Sequence, residues 1–139
     1  MEESDWSSDV CSSDLNLVKG AKKIMSLGPT CIVVKRGEYG VFMMSREEIF
    51  LAPAYPLEDV FDPTGAGDTF AGGFMGYISN IGDTSLKTLK QAIILGSVMA
   101  SFNVEDFSIN RIKSLDYMEI KERYSAFKRC MQFGDLEFK

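Results

Sequence analysis

Histidine is absent from the 139-residue sequence. That absence excludes Ser-His-Asp and Cys-His catalysis and removes the commonest transition-metal ligand. Cysteine is scarce: Cys11, Cys31 and Cys130 lie far apart, without metal-ligand spacing. Thiols in that pattern suit a reduced, cytoplasmic setting better than a disulfide framework. No apolar run approaches the roughly 18 residues of a membrane span. Polybasic stretches are also missing and the formal net charge is −5, so neither nucleic acid nor a membrane surface is an expected partner. What remains is the composition of a globular domain, 45% hydrophobic and 25% charged.

Residues 1–15 stand apart from the rest. They hold five acids (Glu2, Glu3, Asp5, Asp9, Asp14) and no lysine or arginine, and they carry the single tryptophan, Trp6. The segment is serine-rich, lacks helical or strand periodicity, and has neither the basic start nor the apolar stretch of a signal peptide. The run from Asp5 to Leu15 looks like a sequencing-library adapter translated in frame. Residues 1–15 are therefore read as a non-native or disordered segment, and residues 16–139 as the folded portion. That portion carries fifteen acids against fifteen bases, a formal charge of zero.

From Asn16 onward the pattern is α/β. Leu17, Ala21, Ile24 and Leu27 share one face of a helix ending at Gly28-Pro29. The continuous apolar run from Thr30 to Val34 predicts an interior parallel strand, buried on both faces. Lys35-Arg36-Gly37-Glu38-Tyr39-Gly40 is a glycine-bearing turn that a plain hairpin would explain, with Val41–Met44 as the returning strand. Glu48–Ala52 reads as a further short strand, closed off by Pro53 and Pro56. Ser85–Phe102 is the strongest helix, capped by Ser85, and Ser114–Phe133 is a final amphipathic one. The stretch between them, Phe102–Asn110, reads as a loop.

One stretch carries chemistry: Asp62-Pro63-Thr64-Gly65-Ala66-Gly67-Asp68-Thr69-Phe70-Ala71-Gly72-Gly73-Phe74. A strand-like pair, Val60-Phe61, enters it and a helix leaves it. Glycines free the backbone to turn sharply and approach a ligand, and a helix N-terminus attracts phosphate. Phe70 occupies the third glycine position of a dinucleotide fingerprint, and no Gly-Lys-Ser/Thr follows, so both common phosphate loops are excluded. Asp68 has two readings. It is an ordinary helix-start aspartate favoured by the macrodipole, or it takes a proton from a group attacking the phosphate.

The stretch resembles the C-terminal signature of the PfkB/ribokinase family of carbohydrate and nucleoside kinases. Every fixed position of that signature, from Asp62 to Gly73, is present. The resemblance implies the C-terminal part of a ribokinase-like three-layer α/β/α sandwich with a mostly parallel sheet, in relatives about twice as long. It implies ATP and Mg²⁺, and a sugar or nucleoside acceptor, sugar being preferred on family frequency. Asp68 becomes the catalytic base, and Gly65, Ala66 and Gly67 the anion hole. Lys35, Gly37 and Gly40 correspond to a loop near the nucleotide, although relatives often carry threonine where Lys35 stands. Gly96 and Ala100 fall where relatives wall the adenine pocket, with Gly96 in place of a frequent asparagine. Asp62 and Thr64 match one half of a monovalent-cation site, such as one for K⁺. The resemblance also implies homodimerisation of a full-length protein. A nucleotide-binding piece without catalysis is the competing expectation.

Overall fold

The computed structural model describes residues 14–106 and 110–139. The adapter-like reading thus lies, up to residue 13, outside the described residues, as does part of the Phe102–Asn110 loop. The chain forms two compact units, one ending at Pro53 and the other starting at Ala54.

The first unit holds α1 (Asp14–Met25), β1 (Cys31–Lys35), a 3₁₀ turn (Gly37–Tyr39), β2 (Val41–Ser45) and β3 (Ile49–Ala52). Helix α1 turns Leu17 and Ala21 inward as its periodicity predicts, and these pack with Phe42 and Met44 of β2. Leu27 lies past the last helical turn and is exposed. The strands form one sheet in the order β1-β2-β3. Both pairings are antiparallel, with Cys31 opposite Ser45 and Val41 opposite Ala52.

This corrects the parallel pairing expected for Thr30–Val34. The connections from Lys35 to Val41 and from Ser45 to Ile49 are tight turns, and a parallel crossover needs a dozen residues or more. β1 is only half-buried, and the strand buried along its whole length is the central β2. The apolar run therefore marks an outer strand of this sheet.

The second unit is helical: α2 (Ala66–Ile81), α3 (Leu86–Asn103), α4 (Asn110–Lys113) and α5 (Tyr117–Met131). Val60 and Phe61 are exposed coil, not a strand. Gly82, in the left-handed region with φ 72°, closes α2 through its N–H to the Ile78 carbonyl. Ser85 caps α3 as expected, its side chain accepting from the Thr88 N–H. Asp83 reinforces that cap by accepting from Ser85 Oγ at 2.5 Å and from Thr88 Oγ1 at 2.7 Å.

Helices α2 and α3 approach closely because both present glycine at the contact. A Cβ added at Gly73 would stand 3.2 Å from Gly96 Cα, and one at Gly96 would stand 2.9 Å from the Phe70 ring. Buried Ala92, Ile93, Val98 and Phe102 line the inner face of α3. Helix α5 starts at a capping box in which Asp116 and Glu119 each accept the other's backbone N–H. Its Phe127 is buried and stacks on Tyr55 at 5.5 Å.

Candidate active site

The signature folds as a tight turn feeding α2. Asp62 Oδ1 accepts from the Thr64 N–H at 2.9 Å, which curls the chain at Pro63. Gly65 follows as N-cap at φ 85°, ψ −4°, a left-handed conformation that glycine adopts without strain. Being glycine, this N-cap has no side chain of its own with which to cap the helix. The Thr69 N–H closes the first turn on the Gly65 carbonyl at 2.9 Å. Asp68 sits in that first turn, exposed to solvent. The Ala66 N–H donates back to the Pro63 carbonyl at 3.2 Å, so within the expected anion hole Ala66 also braces the turn.

Two side chains outside the fixed signature positions lock this turn. Asn103, at the end of α3 and 1% exposed, donates from Nδ2 to the Thr64 carbonyl at 2.8 Å. Its Oδ1 accepts from Thr69 Oγ1 at 3.2 Å, and that hydroxyl also lies 2.9 Å from the Gly65 carbonyl. The residue after it, Val104, accepts from the N–H groups of Phe61 and Asp62 through its carbonyl. Sequence reasoning placed Asn103 in a loop and missed it. The available signal was an amide side chain ending an apolar helix, where burial requires hydrogen-bond partners.

Asp62 and Thr64 are joined by the turn's own hydrogen bond. The Thr64 N–H and then its hydroxyl hold the Asp62 carboxyl below the ordinary aspartate range, so it is charged at neutral pH. Charged oxygen is the donor chemistry of a hard cation such as K⁺. Among the described residues, no cluster of three acidic, cysteine or histidine side chains could hold a metal ion.

The remaining candidates divide between the units. Lys35, Gly37 and Gly40 belong to the first, on the turn between β1 and β2. The Gly40 carbonyl accepts from the Arg36 N–H at 2.7 Å, and its own N–H donates to Gly37. Gly40 is buried at φ 86°, and a Cβ there would overlap the Ala52 carbonyl. Gly37, at φ 57°, faces open space. Gly40 is thus required by the sheet, whereas no neighbouring group requires glycine at position 37. Gly96 lies in the second unit and is covered by Phe70, so the space its missing side chain leaves is filled from within. Ala100, one turn on, is half-buried.

The turn combines a helix start whose backbone is bared by glycine, the geometry that attracts phosphate, with a carboxylate, Asp68, in its first turn. A family model described as pfkB family carbohydrate kinase matches residues 2–113. The chain is 28% identical over 118 residues to an inositol 3-kinase of Arabidopsis thaliana, covering 85% of this chain and 31% of that protein. It is 45% identical over 61 residues to a cytidine kinase of Thermococcus kodakarensis, covering 42% and 22% respectively. The crystal structure of a ribokinase from Thermotoga maritima superposes with a TM-score of 0.66 at 26% identity, over 86% of this chain and 38% of that one. The chain therefore spans about a third or less of the length of these curated relatives. A match across most of the chain, on a ribokinase-like backbone, makes this sequence a member of the pfkB family of carbohydrate kinases.

Proposed function

We propose that the signature turn serves ATP-dependent transfer of the γ-phosphoryl group to a hydroxyl of a sugar. The observation that carries this reading is Asp68 in the first turn of a helix entered through a left-handed glycine N-cap, Gly65. An acceptor hydroxyl lying between Asp68 and the phosphate would give its proton to the Asp68 carboxylate as its oxygen attacks phosphorus in line. The γ-phosphoryl leaves ADP and joins that oxygen. The Gly65 N–H would face the charge on the transferring group, with Ala66 and Gly67 completing the backbone around it, where pre-oriented donors contribute most. Mg²⁺, carried on the nucleotide phosphates, supplies charge neutralisation when bound. Asp62 and Thr64 are the residues here that would help hold a monovalent cation. Ala100 would lie near the base of the nucleotide.

The test is ADP release by the purified chain with ATP, Mg²⁺ and a panel of sugars and nucleosides. Turnover with a sugar, falling by about 10²–10⁴ in Asp68→Asn, supports the reading. Near-normal turnover of that variant removes Asp68 as the base, and turnover with nucleosides alone makes the acceptor a nucleoside. A second reading rests on the chain spanning only 31% of its inositol 3-kinase relative: a nucleotide-binding piece without catalysis. ATP binding with no ADP release from any acceptor would select it.

A further inference from the structure

We propose that Asn103 is a positioning residue that aims the Gly65 N–H at the phosphate. The catalytic consequence rests on the kinase reading above, whereas the conformational one rests on the hydrogen bonds alone.

The argument begins with burial. Asn103 is 1% exposed, and a buried amide is costly unless both of its ends are satisfied. Both are. The Thr64 carbonyl can only accept, so the amide nitrogen faces it at 2.8 Å, and the amide oxygen receives the Thr69 hydroxyl at 3.2 Å. In a trans peptide the carbonyl and the following N–H point in opposite directions. No peptide bond here is cis. With the Thr64 carbonyl turned in toward Asn103, the Gly65 N–H must point the other way, out of the turn.

Glycine cannot hold that orientation by itself. Lacking a Cβ, Gly65 permits the Thr64–Gly65 peptide to flip at little steric cost. A flip would carry the N–H inward and present a carbonyl oxygen to the phosphate. The next peptide is fixed separately, because the Gly65 carbonyl accepts from the Thr69 N–H at 2.9 Å. Asn103 therefore closes the one rotation that the glycine leaves open. A Cβ at Gly65 would stand 3.5 Å from Asn103 Nδ2, so the amide lies directly against the turn it holds.

The test is an NMR titration of the ¹⁵N-labelled chain with inorganic phosphate, following the Gly65 amide, with the Thr88 amide at the start of α3 as a reference for the fold. In Asn103→Leu, affinity read at Gly65 should fall about tenfold, the scale of one lost hydrogen bond, while Thr88 keeps its position. If that variant does not fold, Thr69→Val releases Asn103 Oδ1 at a half-buried position, and a weakening of about threefold is expected on the same scale. Equal phosphate response at Gly65 in wild type and folded variant overturns the proposal, as does no response at Gly65 in wild type. Failure of the kinase reading is separable. Full turnover in Asp68→Asn beside an Asn103-dependent phosphate response would remove the catalytic base and leave the positioning role standing.

Discussion

Phe70 lies over Gly96, its ring and its carbonyl oxygen each 2.9 Å from where a Cβ on Gly96 would stand. The two belong to the facing helices α2 and α3, and the missing side chain sets how closely those helices pack. Phe70 is itself 6% exposed, so it has little room to retreat. Gly96→Ala should therefore destabilise the chain by about 1–3 kcal/mol through overpacking. Urea unfolding with linear extrapolation measures this. Unchanged stability with weakened ATP binding would instead return Gly96 to a nucleotide pocket.

Gly40 and Gly37 share one turn and a positive φ, yet they should respond differently to alanine. At Gly37 the added methyl meets open space, so the cost is the left-handed backbone alone, about 1–2 kcal/mol. At Gly40 the same strain is joined by overlap with the Ala52 carbonyl and the Pro53 backbone, where β3 ends. Gly40→Ala should lower stability by several kcal/mol beyond Gly37→Ala, since neither backbone group can move without breaking the β2–β3 pairing. Equal losses in thermal unfolding would mean that the turn relaxes and the sheet does not constrain it.

These contrasts mark where the sequence was informative. Helix α1 and the Ser85 cap of α3 were legible because periodicity and capping are local properties, carried by residues three or four apart. The signature turn was legible for the same reason: Asp62, Gly65 and Asp68 fall within one short stretch. Strand direction was not. The run from Thr30 to Val34 looks the same whether its neighbour is parallel or antiparallel, and only the shortness of the following turns decides. The start of α5 was written in Asp116 and Glu119, a capping box that the apolar residues before it obscured. Asn103 could not be assigned its role because its partners, Thr64 and Thr69, lie 39 and 34 positions away.

The start of α3 should be sensitive to acid. Ser85 and then Thr88 donate hydroxyl hydrogen bonds to Asp83 and hold its carboxyl below the ordinary aspartate range. A folded-state value lower than the unfolded one stabilises the fold above the unfolded pKa of about 3.9, and that contribution is lost as pH falls through the folded value. Wild type should thus lose stability from about pH 4 downward more steeply than Asp83→Asn, which has no proton to take up there. Ser85→Ala, removing the cap itself, should cost about 1 kcal/mol at neutral pH. Parallel acid profiles for wild type and Asp83→Asn, followed by helical circular dichroism, would show that the Asp83 bonds do not distinguish folded from unfolded chain.

Arg123 on α5 should resist the usual conservative replacement. Its guanidinium lies 3.7 Å from the Phe102 ring centroid and 5.1 Å from that of Tyr55. It also pairs with Glu105 and donates to Ser101 Oγ at 3.0 Å. A planar cation can stack on a ring while its edge hydrogen bonds in two directions, whereas an ammonium can do only one of these well. Arg123→Lys should then cost about 1–2 kcal/mol although the charge is kept. With the two side chains only 18% and 24% exposed, most of that loss should persist at high salt. Denaturant unfolding of both forms at low and high ionic strength measures it. A neutral Arg123→Lys would reduce the contact to a solvated ion pair, and a loss that vanishes in salt would assign it to charge and not to stacking.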